Sequence, residues 1–471
     1  MLKNAKLALM ASYLIEIIYC VTIVSLLCFF LSHSFKKKIG GLELIRHWIL
    51  FGFLVNFFGF SWLYTAYPLP WLPAGFLQIA GIAFLHILLS AVTGVCFSVV
   101  AFYRHPSVAP QYQPLTFATA LTLSEMLGSY MISILYYGNG IPLGLNFSMG
   151  AFGNTLANTP FVELAYFGGT FALTFVFAYI IYITISKEHC MRYRHHWIGL
   201  IAILLFTHFF ISTESIQEGA VIGIVTTNFP SLTKDSGEKT LKNRFNTIHA
   251  LTLTFSTSTP PAIIIYPEDT RYIGYSTLSD RSDLFVNFNT TLFVDGDTMQ
   301  KDNTSSNLSL FYYPHNNSIY TRGKELLLPF SEYIPNFFSY IFRLFIDDTT
   351  YAAYVLNYTY TPIQGKKTVS FEGATIGTLL CSEILSFSTI EKLKKERPSL
   401  VFFQSQLSVF HNSPYIAMLI RTYTKIAASE LRTTIISSTN GSPSYIVSPH
   451  GYLIRTIDTG FSTSTFIIGS K

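Results

Sequence analysis

The chain of 471 residues is 50% hydrophobic and 16% aromatic, with only 12% charged residues and a formal net charge of +5. A soluble protein of this length carries roughly twice that charged fraction. Composition therefore excludes a disordered chain, a fibrous repeat and an ordinary cytosolic enzyme. The weak positive charge points to no nucleic-acid partner, because the basic residues sit in short clusters between apolar runs.

In chain order, the first half is apolar enough for lipid. Six stretches reach the ~20 residues needed to cross a bilayer: 7–32, 48–66, 75–102, 114–137, 162–186 and 196–213. The first is too long for a signal-peptide core and lacks a small-residue cleavage site, so it reads as a retained helix. Glu16 and Glu125 are acidic residues inside these spans, and such residues are candidates for function by default.

Loop charges set an orientation. Lys36, Lys37, Lys38 and Arg46 follow the first span, Arg104 follows the third, and Lys187, Arg192 and Arg194 follow the fifth. The loops after the second and fourth spans hold no Lys or Arg. Positive loops stay in the cytoplasm. The N-terminus is then expected outside, with everything after about residue 214 extracytoplasmic. The long loop after the fourth span, with Gly138, Asn139, Gly140, Pro142 and Gly144, reads as a plain connection or as the lining of a lipid-facing cavity.

From Gly219 the pattern changes to short β-rich runs. "AVIGIVTTNFP", "PAIIIYPE", "TIGTLLC", "SLVFFQSQ", "TTIISST" and "SYIVSP" read as strands. "LKNRFNTIHALTLTF", "SEILSFSTIEKLKKE" and "SPYIAMLIRTYTKIAASEL" read as helices. Buried apolar strands alternating with helices predict an α/β domain with covered sheets. The expected division is a membrane domain of about six helices over 1–213 and one catalytic-sized domain over 214–471.

Cys20, Cys28 and Cys96 lie in apolar spans and Cys190 in a basic loop, so Cys381 has no disulfide partner in the second half. It sits at a strand-to-helix turn, where nearby amides favour a thiolate. A cysteine that attacks an acyl group needs a base and donors for the oxyanion. No His lies near Cys381 in sequence. Glu268 ends a buried strand in "IIIYPED", and Lys324 opens "GKELLLPFSEYIP".

These segments resemble the Glu–Lys–Cys triad of the nitrilase (carbon-nitrogen hydrolase) superfamily, and the whole chain resembles its membrane branch, the apolipoprotein N-acyltransferase family. "YPE" is similar to the family's Trp-Pro-Glu. "GKELLLPFSEYIP" carries over Lys324 and Glu332. "LLCSEI" carries over Cys381 and Glu383, with Ser382 where the family has Tyr. "STNGSPSYIVSPHG" places Asn440 and Gly441. The three triad motifs stand in the family's order, separated by 56 and 57 positions. The chain departs from the pattern at Gln406 and Val409, which replace Asn and Trp, and shows neither the family's first helix nor one after the catalytic half.

The resemblance implies an αββα nitrilase-like fold beside a polytopic membrane domain. It implies N-acyl transfer in a bacterial inner membrane, with the catalytic domain periplasmic. The acyl chain would pass from a phospholipid, through a Cys381 thioester, to the N-terminal amine of a diacylglyceryl-cysteine lipoprotein. Glu268 would be general base. Lys324, with a backbone N–H near Ser382, would stabilise the oxyanion. Glu332 would orient Lys324 or the amine. Glu383, Ser382 and Asn440 would support the site, and no metal or organic cofactor is needed. The same triad would serve a membrane-bound amidase or hydrolase, with water as acceptor.

Both substrates are lipids, so the site should open near the bilayer. "YIPNFFSYIFRLF" follows Glu332 and is apolar on all sides. Phe337, Phe338, Phe342 and Phe345 are expected to form an arm that dips into the interface.

Overall fold

In a computed structural model, the described residues are 2–37, 41–68, 75–104, 108–148, 151–185, 194–211, 219–231, 237–256, 260–276, 284, 286–301, 304–344 and 347–468. Lys38, Lys187, Cys190, Arg192 and Phe345 lie outside them.

The apolar half folds into helices α1 (Leu2–Lys37), α2 (Gly41–Gly59), α3 (Phe76–Cys96), α4 (Gln113–Leu135), α5 (Gly169–Ile185) and α6 (Arg194–Phe210). Four segments are long and apolar enough to cross a membrane: Met10–Phe35, Gly41–Ala66, Gln78–Tyr103 and Gln113–Leu135. Gly169–Ile185 and His195–Phe210 are shorter apolar helices. The expected span over 162–186 is thus divided. Its start is a 3-10 helix, Pro160–Phe167, and the chain turns at Gly169, whose φ of +56° suits a residue without Cβ.

The helix ends near Ser34, Tyr103, Gln113 and Tyr182 gather at one end of this bundle. There Ser34 bonds to Tyr103 (2.8 Å) and Tyr182 to Gln113 (2.9 Å). The other end meets the second half of the chain: Tyr415 donates to the Gly59 carbonyl (3.2 Å), and the rings of Trp62 and Phe410 lie 5.8 Å apart.

The second half contains two six-stranded sheets. The first has the order β12-β1-β2-β3-β4-β5, from β1 (Val221–Thr226), β2 (Ile263–Ile265), β3 (Leu292–Lys301), β4 (Thr304–Tyr313), β5 (Ser318–Gly323) and β12 (Ser462–Ile467). The second has the order β11-β10-β9-β8-β7-β6, from β6 (Thr368–Phe371), β7 (Ala374–Leu380), β8 (Leu400–Gln406), β9 (Ile435–Asn440), β10 (Ser444–Val447) and β11 (Leu453–Ile457). Each sheet has a parallel trio, β1–β2–β3 and β7–β8–β9, flanked by antiparallel strands.

Side chains alternate along a strand, and here the two alternating sets have different partners. Ile222, Ile224, Ile263, Ile265 and Val294 of the first sheet pack against Ile376, Leu400, Phe402 and Ile436 of the second. The first sheet's outer residues Ile264, Tyr266 and Phe293 pack on α7 (Glu238–Leu253) through Phe245 and Ile248. The second sheet's outer residues Leu379, Val401, Phe403 and Ile435 pack on α11 (Phe387–Glu396) and α12 (Pro414–Leu431). Before α11 in the chain come the one-turn α8 (Tyr272–Tyr275), α9 (Asn336–Phe342) and α10 (Asp348–Tyr358). The layering is αββα, as expected.

Helix α12 has two faces to satisfy. Leu419, Tyr423 and Ala427 belong to the core against the sheet, and Ile426 belongs to the core of the helical bundle. Arg421 pairs with Glu16 of α1 at 3.0 Å and lies 4.2 Å over the Tyr13 ring. Tyr423 accepts from Asn154 at 3.1 Å. Glu16 is therefore a rivet between the two halves. Glu125 accepts from the Phe152 N–H (2.6 Å) and the Thr174 hydroxyl (2.5 Å), so it ties α4 to α5 and the segment before it.

Candidate active site

The parallel strands of both sheets end at one place, and loops after such carboxyl ends are where α/β folds keep their ligands. Glu268 follows β2. Its loop presses against β3 so tightly that a Cβ on Gly296 would lie 2.5 Å from the Glu268 Cα. Lys324 follows β5, and its backbone N–H bonds to the Asn307 carbonyl of β4 at 2.8 Å. Cys381 follows β7.

Lys324 Nζ lies 2.9 Å from Glu268 Oε1 and 2.9 Å from Glu332 Oε1. Glu332 is fixed in turn by the Asn307 side-chain amide (2.6 Å) and the Leu328 N–H (2.6 Å). All three charged groups are buried, at 5%, 1% and 7% exposure for Glu268, Lys324 and Glu332, so their interaction is little screened. Burial pushes Glu268 up to about 7, partly opposed by Lys324 and reinforced by Glu332. Burial alone would lower Lys324, but the two carboxylates outweigh it and hold the ammonium well above its ordinary value.

Cys381 adopts a left-handed backbone, φ +42°, a strained conformation for a residue with a side chain. Its neighbours hold it there. Ser382 Oγ donates to the Leu326 carbonyl at 2.5 Å, and Glu383 accepts from the Leu380 N–H at 2.9 Å and from Lys367 Nζ at 2.5 Å. Burial, and then the charge of Glu268, push the Cys381 thiol up, while Lys324 pulls the other way. The turn is a five-residue 3-10 segment in a dry, carboxylate-rich place, which opposes the thiolate that a strand-to-helix turn favours.

The other expected residues divide. Glu268, Lys324, Glu332 and Cys381 line one cavity. Glu383 and Ser382 brace the cysteine turn through the bonds above, so their side chains support rather than contact a ligand. Asn440 accepts from Thr227 Oγ1 (2.8 Å) and the Phe229 N–H (2.7 Å), and donates to the Phe229 carbonyl (2.8 Å). It joins the exit of β1 to the end of β9. Its amide also donates to Gln406 Oε1.

The cavity has a volume of about 1020 Å³. Beyond the charged groups its walls are apolar. They come from the helical half (Phe60, Trp62, Leu85, Ile132) and from the second half (Phe330, Phe338, Phe342, Phe410). Polar residues Ser231, Asp269, Ser408 and His411 line another part of it. Of the expected arm, Phe338 is buried and, with Phe342, lines the cavity, while Phe337 is exposed, as are Tyr340 and Leu344 at 74% and 78%. The segment is both wall and apolar rim.

The loop after α4 is more than a connection. Phe147 lines the cavity, Ser386 Oγ donates to Asn146 Oδ1 at 2.6 Å, and the Phe387 N–H bonds to the Leu145 carbonyl at 3.1 Å. The bundle thus grips the chain just after Cys381.

Lys367, Asn307 and Gln404 were not among the residues expected at the site. Gln404 donates to the Tyr266 carbonyl at 2.7 Å and accepts from Ser309 at 2.6 Å, joining the sheets below the site. A Gln inside the apolar run "SLVFFQSQ" was the available signal.

No protein-family model and no curated protein matches the chain. Solved structures do. A CN-hydrolase superfamily protein from Xanthomonas campestris, with an arsenic adduct in its active site, is similar at 12% identity, covering 54% of this chain and 92% of that chain, with a TM-score of 0.38. An amidase mutant from Nesterenkonia sp. AN1, with the acetamide moiety of fluoroacetamide added to the active-site cysteine, is similar at 10% identity, covering 55% and 93%, with a TM-score of 0.38. An amidase from Nesterenkonia sp. is similar at 11% identity, covering 54% and 92%, with a TM-score of 0.37.

Proposed function

We propose that this chain is a membrane-embedded enzyme of the carbon-nitrogen hydrolase type that forms an acyl-thioester on Cys381. More particularly, we infer an apolipoprotein N-acyltransferase, with a phospholipid as acyl donor and a diacylglyceryl-cysteine lipoprotein as acceptor. One observation carries this reading: the buried Glu268–Lys324–Glu332 cluster and Cys381 line a cavity whose apolar walls come jointly from the catalytic half and from helices able to cross a membrane.

Cys381 Sγ attacks the ester carbonyl carbon while Glu268 takes the thiol proton. A carboxylate with a pKa near 7 suits that transfer at neutral pH. The carbonyl π electrons move to oxygen, and the Lys324 ammonium, already held by two carboxylates, is pre-organised to meet the charge. Collapse re-forms the carbonyl and expels the lysophospholipid alkoxide, which takes the proton from Glu268. The lipoprotein's α-amine then attacks the thioester and gives its proton to Glu268, and the departing thiolate recovers it. Glu332 keeps Lys324 placed throughout. In this reading the catalytic half lies outside the cytoplasm of a bacterial inner membrane, which the alternation of basic and uncharged loops in the sequence supports.

The test is incubation of the full chain in detergent with labelled phospholipid, followed by mass spectrometry. Acyl mass on the Cys381 peptide, transferred on adding a lipopeptide with a free N-terminal amine, is the expected result. Transfer to water alone would make the protein a hydrolase. A folded wild-type chain with no acyl mass would overturn the proposal.

A further inference from the structure

Gln406 closes β8, on the face shared by Leu400, Phe402 and Gln404, so the period of the strand sends it between the sheets. It is 6% exposed and lines the same cavity as Cys381. Its backbone N–H faces the Cys381 thiol and draws the thiol's pKa down, against the larger effect of burial. Its side-chain oxygen accepts from the Asn440 amide, which fixes which end of the carboxamide is which. Its Nε2 is buried and has no hydrogen-bond partner among the described residues. A buried donor left unsatisfied is costly, and one held in orientation beside a nucleophile is of use to a ligand that brings an acceptor.

Resting on the acyl-enzyme reading above, we propose that Gln406 Nε2 donates a hydrogen bond to the acyl carbonyl oxygen at Cys381, as a second oxyanion donor beside Lys324. The acceptor is the carbonyl oxygen common to an ester donor and to the thioester, so both half-reactions use it. Lys324 supplies charge and Gln406 supplies direction, because its amide is held from the oxygen side by Asn440. The bond forms only when an acyl group is present, so the protein's described residues offer Nε2 no partner of their own.

The full chain in detergent is treated with p-nitrophenyl butyrate, a small activated ester, and Cys381 acylation is followed. Alkylation by chloroacetamide, which needs the thiol but no oxyanion donor, runs in parallel. Gln406→Leu is expected to slow acylation on the order of 100-fold and to leave alkylation at the wild-type rate. Gln406→Asn, which keeps the donor on a shorter arm, recovers part of the loss. Unchanged acylation in Gln406→Leu overturns the proposal, and so does a parallel fall in acylation and alkylation, which marks a structural role. Normal acylation with slow transfer to a lipopeptide also overturns it, because the bond would then belong to the acceptor. A wild-type chain acylated by the butyrate ester but not by phospholipid refutes the lipid reading alone, and the comparison on butyrate still decides the role of Gln406.

Discussion

Lys367 Nζ lies 2.5 Å from Glu383 Oε1, and each side chain is only 1% exposed. The pair sits behind the strained Cys381 turn, where Glu383 also accepts from the Glu325 N–H at 2.6 Å. Lys367→Met leaves a buried carboxylate uncompensated, at a cost of about 3–5 kcal/mol. We expect a lower Tm in detergent and slower acylation of Cys381. Adding Glu383→Gln should restore part of the Tm, since it removes the stranded charge.

Glu268 is expected to set the pH profile. Its carboxyl is pushed up to about 7, so the base form is lost as pH falls below that value. Acylation by a small ester should fall about tenfold per pH unit on the acid side and level off above about 7. Glu268→Gln should be slow and flat across the same range. A wild-type profile already flat from pH 5 to 8 would remove Glu268 from the role of base.

Lys324 holds apart two carboxylates that would otherwise share a dry site. Lys324→Met should destabilise the protein by about 3–5 kcal/mol and abolish acylation. The double variant Lys324→Met with Glu332→Gln should regain Tm and remain inactive. That split separates the folding role of the ammonium from its role at the oxyanion.

The apolar walls predict a chain-length effect. Leu85→Trp or Ile132→Trp fills the cavity away from the charged cluster. Long-chain donors should be lost by at least tenfold, while butyrate transfer to Cys381 stays within about twofold. Equal loss on both donors would mean that the cavity does not hold the acyl chain.

The parts of this site that were legible in sequence share one physical cause. A strand buried on both faces reads as a continuous apolar run, and a charge or thiol at its end is conspicuous. Glu268 after "AIIIYP" and Cys381 after "TIGTLL" stand out for that reason. The β3–β4 hairpin did not, because residues such as Asp295, Ser306, Asn307 and Ser309 hide their polar atoms inside the fold. Lys367 stands beside a second lysine in "GKK", with no apolar run to mark it as buried. Gln406 was legible as a departure from a family pattern, but its empty valence exists only in three dimensions. The shortening of the 162–186 span escaped too, since hydropathy does not register the turn at Gly169.

Helix α12 is buried from Met418 through Leu431, with Arg421, Lys425 and Glu430 enclosed among its apolar residues. An ordinary anchored enzyme can be clipped from its tether and studied in water. Here the same helix is floor to one compartment and ceiling to the other, and cutting the chain near Gly219 would bare a polar-studded apolar flank on both pieces. The helical half is thus no leash but a wall of the cavity that Cys381 lines, and the two halves share that wall for as long as the protein remains folded.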